Sequence, residues 1–246
     1  MSKNLFDQAD FFEQYMELRH KASSYNNLVE QPNMKALLPD LMGMTILDMG
    51  CGFGGACTDF INRGASRVVA IDVSEKMLAT ARETNGHANI EYMRLGMEQI
   101  DDIWEKFDLV YSSMAMHYIA DFGRVAANVY DLLGDCGIFQ FSQEHPMVTA
   151  PHDGSEWIRD EKGKKVAAPV SDYLENGKRH AEWLGEDVVK YHRSISEIIN
   201  TLISSGFTIA NIVEPKPTAE ALKTAHHLRD EIHRPTALIV KALKGY

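Results

Sequence analysis

The chain has 246 residues, 45% of them hydrophobic, enough for one large α/β domain or for a domain of about 150 residues carrying an elaborated lid. A formal net charge of -10 opposes the long-range attraction to phosphate that nucleic-acid binders exploit, so no nucleic acid is expected as a partner. The opening residues carry no basic region followed by an apolar core, no apolar run approaches the ~18 residues of a membrane span, and Cys51, Cys57 and Cys136 make neither a disulfide framework nor a zinc pattern. A cytoplasmic protein with reduced thiols, no metal and no membrane contact is expected, as a monomer or homodimer.

Between Leu5 and Arg19, the residues Phe12, Tyr15, Met16 and Arg19 recur at helical spacing, which predicts an amphipathic helix ahead of the main domain. It either covers an active site or packs on the sheet for stability. From Thr45 onward short apolar strands alternate with helical patterns: Ile46 to Met49, Val68 to Asp72, Ile90 to Leu95, Phe107 to Ser112 and Gly137 to Ser142. That alternation implies βαβ units and a parallel sheet. A helix is expected from about Ala56 to Gly64, another capped by Ser74 and running through Thr84, and a third whose apolar stripe from Phe122 to Leu133 ends at Gly134. Between Pro146 and Arg193 the alternation stops and Gly, Pro, Lys, Asp and scattered aromatics take over, which marks an insertion. Ser194 and Glu197 form a capping box for a helix to about Ser205, after which a strand Thr208 to Val213, a polar helical stretch Thr218 to Arg234 and a strand Thr236 to Ala242 complete a count of seven strands.

The first strand runs into Asp48-Met49-Gly50-Cys51-Gly52-Phe53-Gly54-Gly55. Glycines there let the backbone take positive φ and approach a ligand, and the N–H groups opening the next helix favour an anionic group. The spacing Gly50, Gly52, Gly55 also satisfies the dinucleotide fingerprint, and Asp72, about 20 residues on, can accept both hydroxyl hydrogens of a ribose. Both features serve NAD and S-adenosylmethionine alike. Asp48 separates them, because a carboxylate beside the loop suits an ammonium better than a pyrophosphate; hydrogen bonding to loop amides is its compatible alternative role.

In these segments the chain resembles the class I S-adenosylmethionine-dependent methyltransferases, in particular the UbiE/type-11 branch, from about Thr45 to Gln143. ILDMGCGFGG is similar to that family's first motif and VVAIDVSEKML to its second. The resemblance implies that Asp72 holds the ribose, that Gly50, Gly52 and Gly54 line the cofactor together with Cys51, and that Val73 and Met77 follow the acid along the same wall. Leu95-Gly96-Met97-Glu98 puts glycine where the family's third motif often has an aspartate for the adenine amine. Met97 is then expected on the adenine, with the amide of Met97 or Glu98 reaching the ring, although plain core packing suits a methionine equally. FDLVYSSMAMHYIAD resembles the segment that closes the cofactor floor, which implies Ser112, Ser113 and Met114 near the sulfonium and His117 at the mouth.

Methyl transfer needs positioning more than a covalent nucleophile, plus a base where the acceptor must lose a proton. His117, Glu144 and His145 lie at the carboxyl ends of strands, where open α/β sheets place ligands. His145 leads, since Pro146 fixes the direction in which it leaves the strand; a plain hydrogen-bonding role is the alternative. In the insertion, Arg179 to Trp183 and Val188 to Arg193 read as a β-ribbon, with Arg179, Ala181 and Trp183 on one face and His180 with Glu182 on the other. His180, Trp183, Tyr191 and His192 from the ribbon, with Tyr15, Arg19 and Tyr25 from the N-terminal segment, are the expected acceptor contacts; Trp183 and Tyr191 equally read as anchors.

The expected architecture is an N-terminal helical cap over 1–40 and a Rossmann-like, doubly wound seven-stranded α/β domain over 41–246, with a lid insertion over 146–193. The antiparallel last strand is implied by the resemblance. The expected activity is methyl transfer from S-adenosyl-L-methionine to an O or N atom of a small-molecule acceptor. An NAD(P)-dependent oxidoreductase, opposed by the lack of an evident Tyr-x-x-x-Lys pair, and a cofactor-binding regulator without turnover are the alternatives.

Overall fold

The structure is a computed structural model and describes residues 4–152 and 157–245; the part of the expected lid over 153–156 lies outside the described residues. Leu5–Asp7 form a 3-10 turn whose Phe6 N–H is accepted by the Asn4 side chain, and α1 (Ala9–His20) begins only after Gln8, which is extended. The expected opening helix is therefore two pieces. A π-turn over Asn26–Glu30 runs directly into α2 (Gln31–Ala36), with Pro32 at the junction of the two.

The alternating core follows as β1 (Thr45–Met49), α3 (Gly55–Asn62), β2 (Arg67–Asp72), α4 (Glu75–Thr84), β3 (Ile90–Arg94), β4 (Phe107–Ser112), α5 (Phe122–Leu132) and β5 (Leu133–Glu144). Ser74 caps α4 as expected, accepting the Met77 N–H at 3.1 Å. Gly134, expected to end α5, lies instead inside β5, because the backbone turns extended at Leu133. The insertion holds α6 (Pro146–Thr149) and two ribbons, β6 (Ile158–Arg159) with β7 (Lys165–Ala167) and β8 (Gly177–Trp183) with β9 (Glu186–His192). The chain then returns through α7 (Ile195–Ser204), capped by Ser194, β10 (Thr208–Val213), α8 (Ala219–Thr224) and β11 (Ala237–Leu243). The polar stretch read as one helix to Arg234 breaks at Ala225, after which only a 3-10 segment over His226–Ile232 forms.

The seven-stranded sheet has the order β10-β11-β5-β4-β1-β2-β3, all parallel except β11, which runs antiparallel to both β5 and β10. Alternation along β1 sends Leu47 and Met49 to the core beneath α5 and α7, and Ile46 to the opposite core with Met34, Cys57 and Phe60. Each fully buried Val or Leu contributes about 1.5–3 kcal/mol, so the apolar stripe of α5 (Val125, Ala126, Val129) is a main fastening of that helix to the sheet. Because the chain goes from β1 to β2 on one side and later to β4 on the other, the carboxyl ends of β1 and β4 diverge. A crevice opens there by topology alone. No described helix is long and apolar enough to cross a membrane.

Candidate functional site

The glycine loop after β1 enters the crevice with Gly50, Gly52 and Gly54 all at positive φ. Two of these have distinct steric reasons. A Cβ on Gly50 would lie 2.7 Å from the Cβ of Ala115 across the crevice, and one on Gly54 would strike the Tyr92 hydroxyl. A Cβ on Gly52 would meet nothing within 4 Å, so that stretch of backbone faces open space. At the end of β2, Asp72 accepts the N–H groups of Gly52 at 3.0 Å and Ser74 at 2.9 Å, which ties the loop to the start of α4. Burial pushes its carboxyl up, against these hydrogen bonds.

Asp48 sits on the α3 side of β1, fully buried, and accepts the Cys57 thiol at 3.2 Å. Burial, helped by the nearby charge of Asp72 and opposed by the Cys57 hydrogen bond, pushes the Asp48 carboxyl up to about 7. A buried acid with no ion-pair partner among the described residues invites a ligand ammonium.

Three cavities meet in the crevice. The first, about 580 Å³, runs along the glycine loop and is walled by Asp48, Gly50, Cys51, Gly52, Ser113, Tyr15 and Arg19. The second, about 560 Å³, continues past Gly50, Gly52 and Asp72 to Val73, Met77 and Met97. The third, about 170 Å³, lies beneath the N-terminal segment and holds Arg19, Tyr25, His117, Glu144 and Trp183. Tyr15 lines all three, and Phe6, Met114 and Tyr118 are shared by the second and third.

The first two cavities together fit S-adenosylmethionine group by group. Asp48 suits its ammonium, the open Gly52 backbone its close approach, Asp72 its ribose hydroxyls, and the apolar Val73, Met77 and Met97 its adenine.

The third cavity is walled by aromatic rings packed edge to face. Phe6 meets Tyr15 at 5.5 Å and Tyr118 at 6.0 Å between centroids, and Trp183 meets Tyr15 at 5.8 Å and Phe11 at 5.5 Å. These contacts hold α1 between the glycine loop and β8. Asp7 adds a polar latch at the start of α4, accepting the Ser74 hydroxyl at 2.7 Å and the Lys76 N–H at 3.2 Å.

At the floor of that cavity Glu144 Oε1 pairs with Lys190 Nζ at 2.6 Å, while Oε2 is buried with no hydrogen-bonding partner among the described residues. Burial alone would push the Glu144 carboxyl up, but the charge of the His117 ring when protonated and the Lys190 ammonium outweigh it and hold it below its usual range. The backbone N–H of Glu144 donates to His117 Nδ1 at 3.2 Å, which leaves the proton of a neutral ring on Nε2. Burial pushes His117 down to about 4, so the ring is neutral at physiological pH. Lys190 escaped the sequence reading because only the β8–β9 register brings it to the floor.

Glu30 escaped it as well. It is fully buried in the π-turn and accepts hydrogen bonds from Asn26, Gln31, Ser113 and Ser142. Burial pushes its carboxyl up, against these hydrogen bonds and the charge of Arg19. Its partners Asn26, Gln31 and Ser113 line the first cavity. A π-turn lacks the 3.6-residue period of an α-helix, so no familiar pattern in NNLVEQP marks the acid as inward-facing.

Other expected site residues lie outside the three cavities. Both ring nitrogens of His145 are engaged: Nδ1 accepts the Met147 N–H at 3.1 Å as the cap of α6, and Nε2 meets Glu214 at 3.0 Å. His192 is likewise held between Thr149 and the Tyr173 carbonyl. The ribbon faces alternate as expected, and so His180 points outward to Asp187 at 2.8 Å while Trp183 points in. Tyr191 is half-buried on β9. Ser112 donates to the Met49 carbonyl inside the sheet, and the Glu98 side chain accepts the N–H groups of Ala120 and Asp121.

A methyltransferase-domain family model matches residues 46–137, the span from β1 to β5. A protein of Haemophilus influenzae whose function is uncharacterized is 36% identical over 247 residues, covering 98% of this chain and 97% of that one. Among solved structures, an S-adenosylmethionine dependent methyltransferase from Mesorhizobium loti is 38% identical with a TM-score of 0.80, covering 87% of this chain and 97% of that one. A Listeria monocytogenes chain provisionally described as the same kind of enzyme is 39% identical with a TM-score of 0.81, covering 88% and 97%. The chain belongs to the class I S-adenosylmethionine-dependent methyltransferases, and S-adenosyl-L-methionine is its cofactor.

Proposed function

We propose that the protein methylates an O or N atom of a small molecule bound in the third cavity. One observation carries this reading: Phe6, Tyr15, Met114 and Tyr118 form a wall common to that cavity and the cofactor's, so the acceptor and the methyl donor meet across it. A volume of about 170 Å³, roofed by α1 and the β8 ribbon, suits a compact molecule rather than a folded macromolecule.

S-adenosylmethionine, when bound, supplies an electrophilic methyl group on a sulfonium. The chain's own residues supply position, which in favourable cases is worth about 7–11 kcal/mol. Asp72 accepts from the ribose, Asp48 takes the ammonium, Gly50, Cys51, Gly52 and Gly54 shape the loop, and Val73, Met77 and Met97 flank the base. In the acceptor cavity, His117 donates from Nε2 and orients the acceptor. Glu144 Oε2, the buried oxygen without a partner, accepts the acceptor's N–H or O–H and takes its proton as the methyl bond forms. Arg19, Tyr25 and Trp183 complete the walls. His145 anchors α6, and His180, Tyr191 and His192 build the ribbon that carries Trp183.

The test is transfer of radiolabelled methyl from S-adenosylmethionine to a cell extract separated into small-molecule, protein and nucleic-acid fractions. Label in the small-molecule fraction, lost in Glu144→Gln, is expected. Label confined to protein or nucleic acid would overturn the reading.

A further inference from the structure

Glu30 is a carboxyl group removed from water, with four donors and no ion-pair partner among the described residues. Asn26 and Gln31 donate to Oε2 at 2.8 and 2.9 Å; Ser142 and Ser113 donate to Oε1 at 2.6 and 2.9 Å. Acceptor-only groups surrounded by donors are held in one orientation, and each lost bond strands a buried partner. What these bonds hold is the tip of β4.

That tip is strained. Met114 has φ 52°, unusual for a residue with a side chain, and lies in the wall between the cofactor and acceptor cavities. Its N–H donates to Ser142 Oγ at 2.9 Å, and that hydroxyl donates in turn to Glu30 Oε1. Ser113, the residue before it, donates to the same oxygen and accepts from Gln31 Nε2 at 3.0 Å. Three separate segments, the π-turn, the β4 tip and β5, thus converge on one carboxylate.

We propose that Glu30 is a positioning residue for methyl transfer, holding Ser113 and Met114 in the strained geometry that aligns the acceptor with the methyl donor. This rests on the assignment of the cavities above. It also gives the N-terminal segment a role beyond covering the site: the crevice reaches its working shape only when the π-turn is docked.

The experiment labels the methionine methyl groups with carbon-13 in the full chain and follows the Met114 resonance, identified by its loss in Met114→Leu. In Glu30→Gln the Met114 resonance of the free protein shifts or broadens, while those of Met42 and Met93, distant on the fold, stay in place. Methyl transfer to the small-molecule fraction at saturating cofactor falls at least tenfold, while the Kd for S-adenosylhomocysteine stays within threefold. Should Glu30→Gln lose its melting transition, Ser142→Ala, which removes one hydroxyl from the same chain of bonds, carries the test with the same Met114 change expected. A folded variant with a native Met114 resonance overturns the proposal, as does a loss of S-adenosylhomocysteine affinity as large as the loss of turnover. Absence of label in small molecules with the native protein would instead sink the acceptor assignment, and the resonance would still decide the role of Glu30.

Discussion

The proposed cofactor side and the proposed acceptor side of the crevice are built in different ways. In that cofactor half, β1, the glycine loop and the end of β2 bring Asp48, Gly52 and Asp72 together within 25 consecutive residues, and the register of β1 with β2 and the Asp72 bond to Gly52 set their spacing. On the acceptor side, Phe6 and Tyr15, Met114 and Tyr118, Glu144, and Trp183 come from four stretches of chain and meet through side-chain packing. Backbone geometry dictates the first and tertiary contact the second. Substitutions on the two sides should therefore separate cofactor binding from turnover.

The largest effect is expected at Asp72. Asp72→Ala removes the carboxylate proposed to serve the ribose and leaves the N–H groups of Gly52 and Ser74 without their acceptor. Hydrogen bonds to a charged group are worth about 1.5–3 kcal/mol each, so the Kd for S-adenosylhomocysteine rises by roughly a hundredfold or more in calorimetry. An unchanged Kd would remove Asp72 from the cofactor side. Glu144→Gln is its counterpart. It keeps shape and loses the proposed base, and removing a general base costs about 10²–10⁴ in rate, so turnover collapses while S-adenosylhomocysteine binding stays within about twofold. A parallel loss of both would erase the distinction between the two sides.

The same contrast explains what the sequence could reveal. The parallel core, the cap at Ser74, the alternation of the β8 ribbon and the glycine loop at positive φ follow local rules of period and glycine geometry, and all are legible. His145 was the leading base because Pro146 fixes its backbone, yet nothing local announces that Glu214, 69 residues on, takes its free nitrogen. Lys190 and Glu30 were invisible for the matching reason: a ribbon register and a π-turn decide which way they face. The helix expected through Arg234 stops at Ala225, whose backbone is non-helical and which is buried with Val29 and Leu228.

A pH titration probes the cofactor side with a smaller effect. Asp48 has its carboxyl pushed up to about 7 by burial, whereas an unfolded chain carries it near the ordinary value. The raised value means that Asp48 stabilises the free protein fully below the unfolded pKa, and that this stability is lost as pH rises through about 7. Cofactor binding runs the other way, since the ammonium prefers the ionised acid. Affinity for S-adenosylhomocysteine should fall as pH drops below about 7, by up to tenfold per unit, and Asp48→Asn should flatten that slope. The same slope in Asp48→Asn would assign the titration to another group.

The smallest effect is expected at His145, and it sharpens the comparison because a sequence reading ranks this residue first. Its Nδ1 caps α6, and loss of a cap typically costs about 1 kcal/mol, which lowers the melting temperature of a domain of this size by about 2–4 °C. Burial holds its ring pKa down, so the stability it contributes is present above the unfolded value and is lost as pH falls through the lowered one. His145→Ala should therefore melt slightly earlier, yet turn over the acceptor within about threefold of the native rate, because Glu144 and His117 stand between it and the cavity's contents in function, if not in sequence. A hundredfold fall in turnover with native cofactor affinity would return the proton to His145 and leave Glu144 as its partner on the wall.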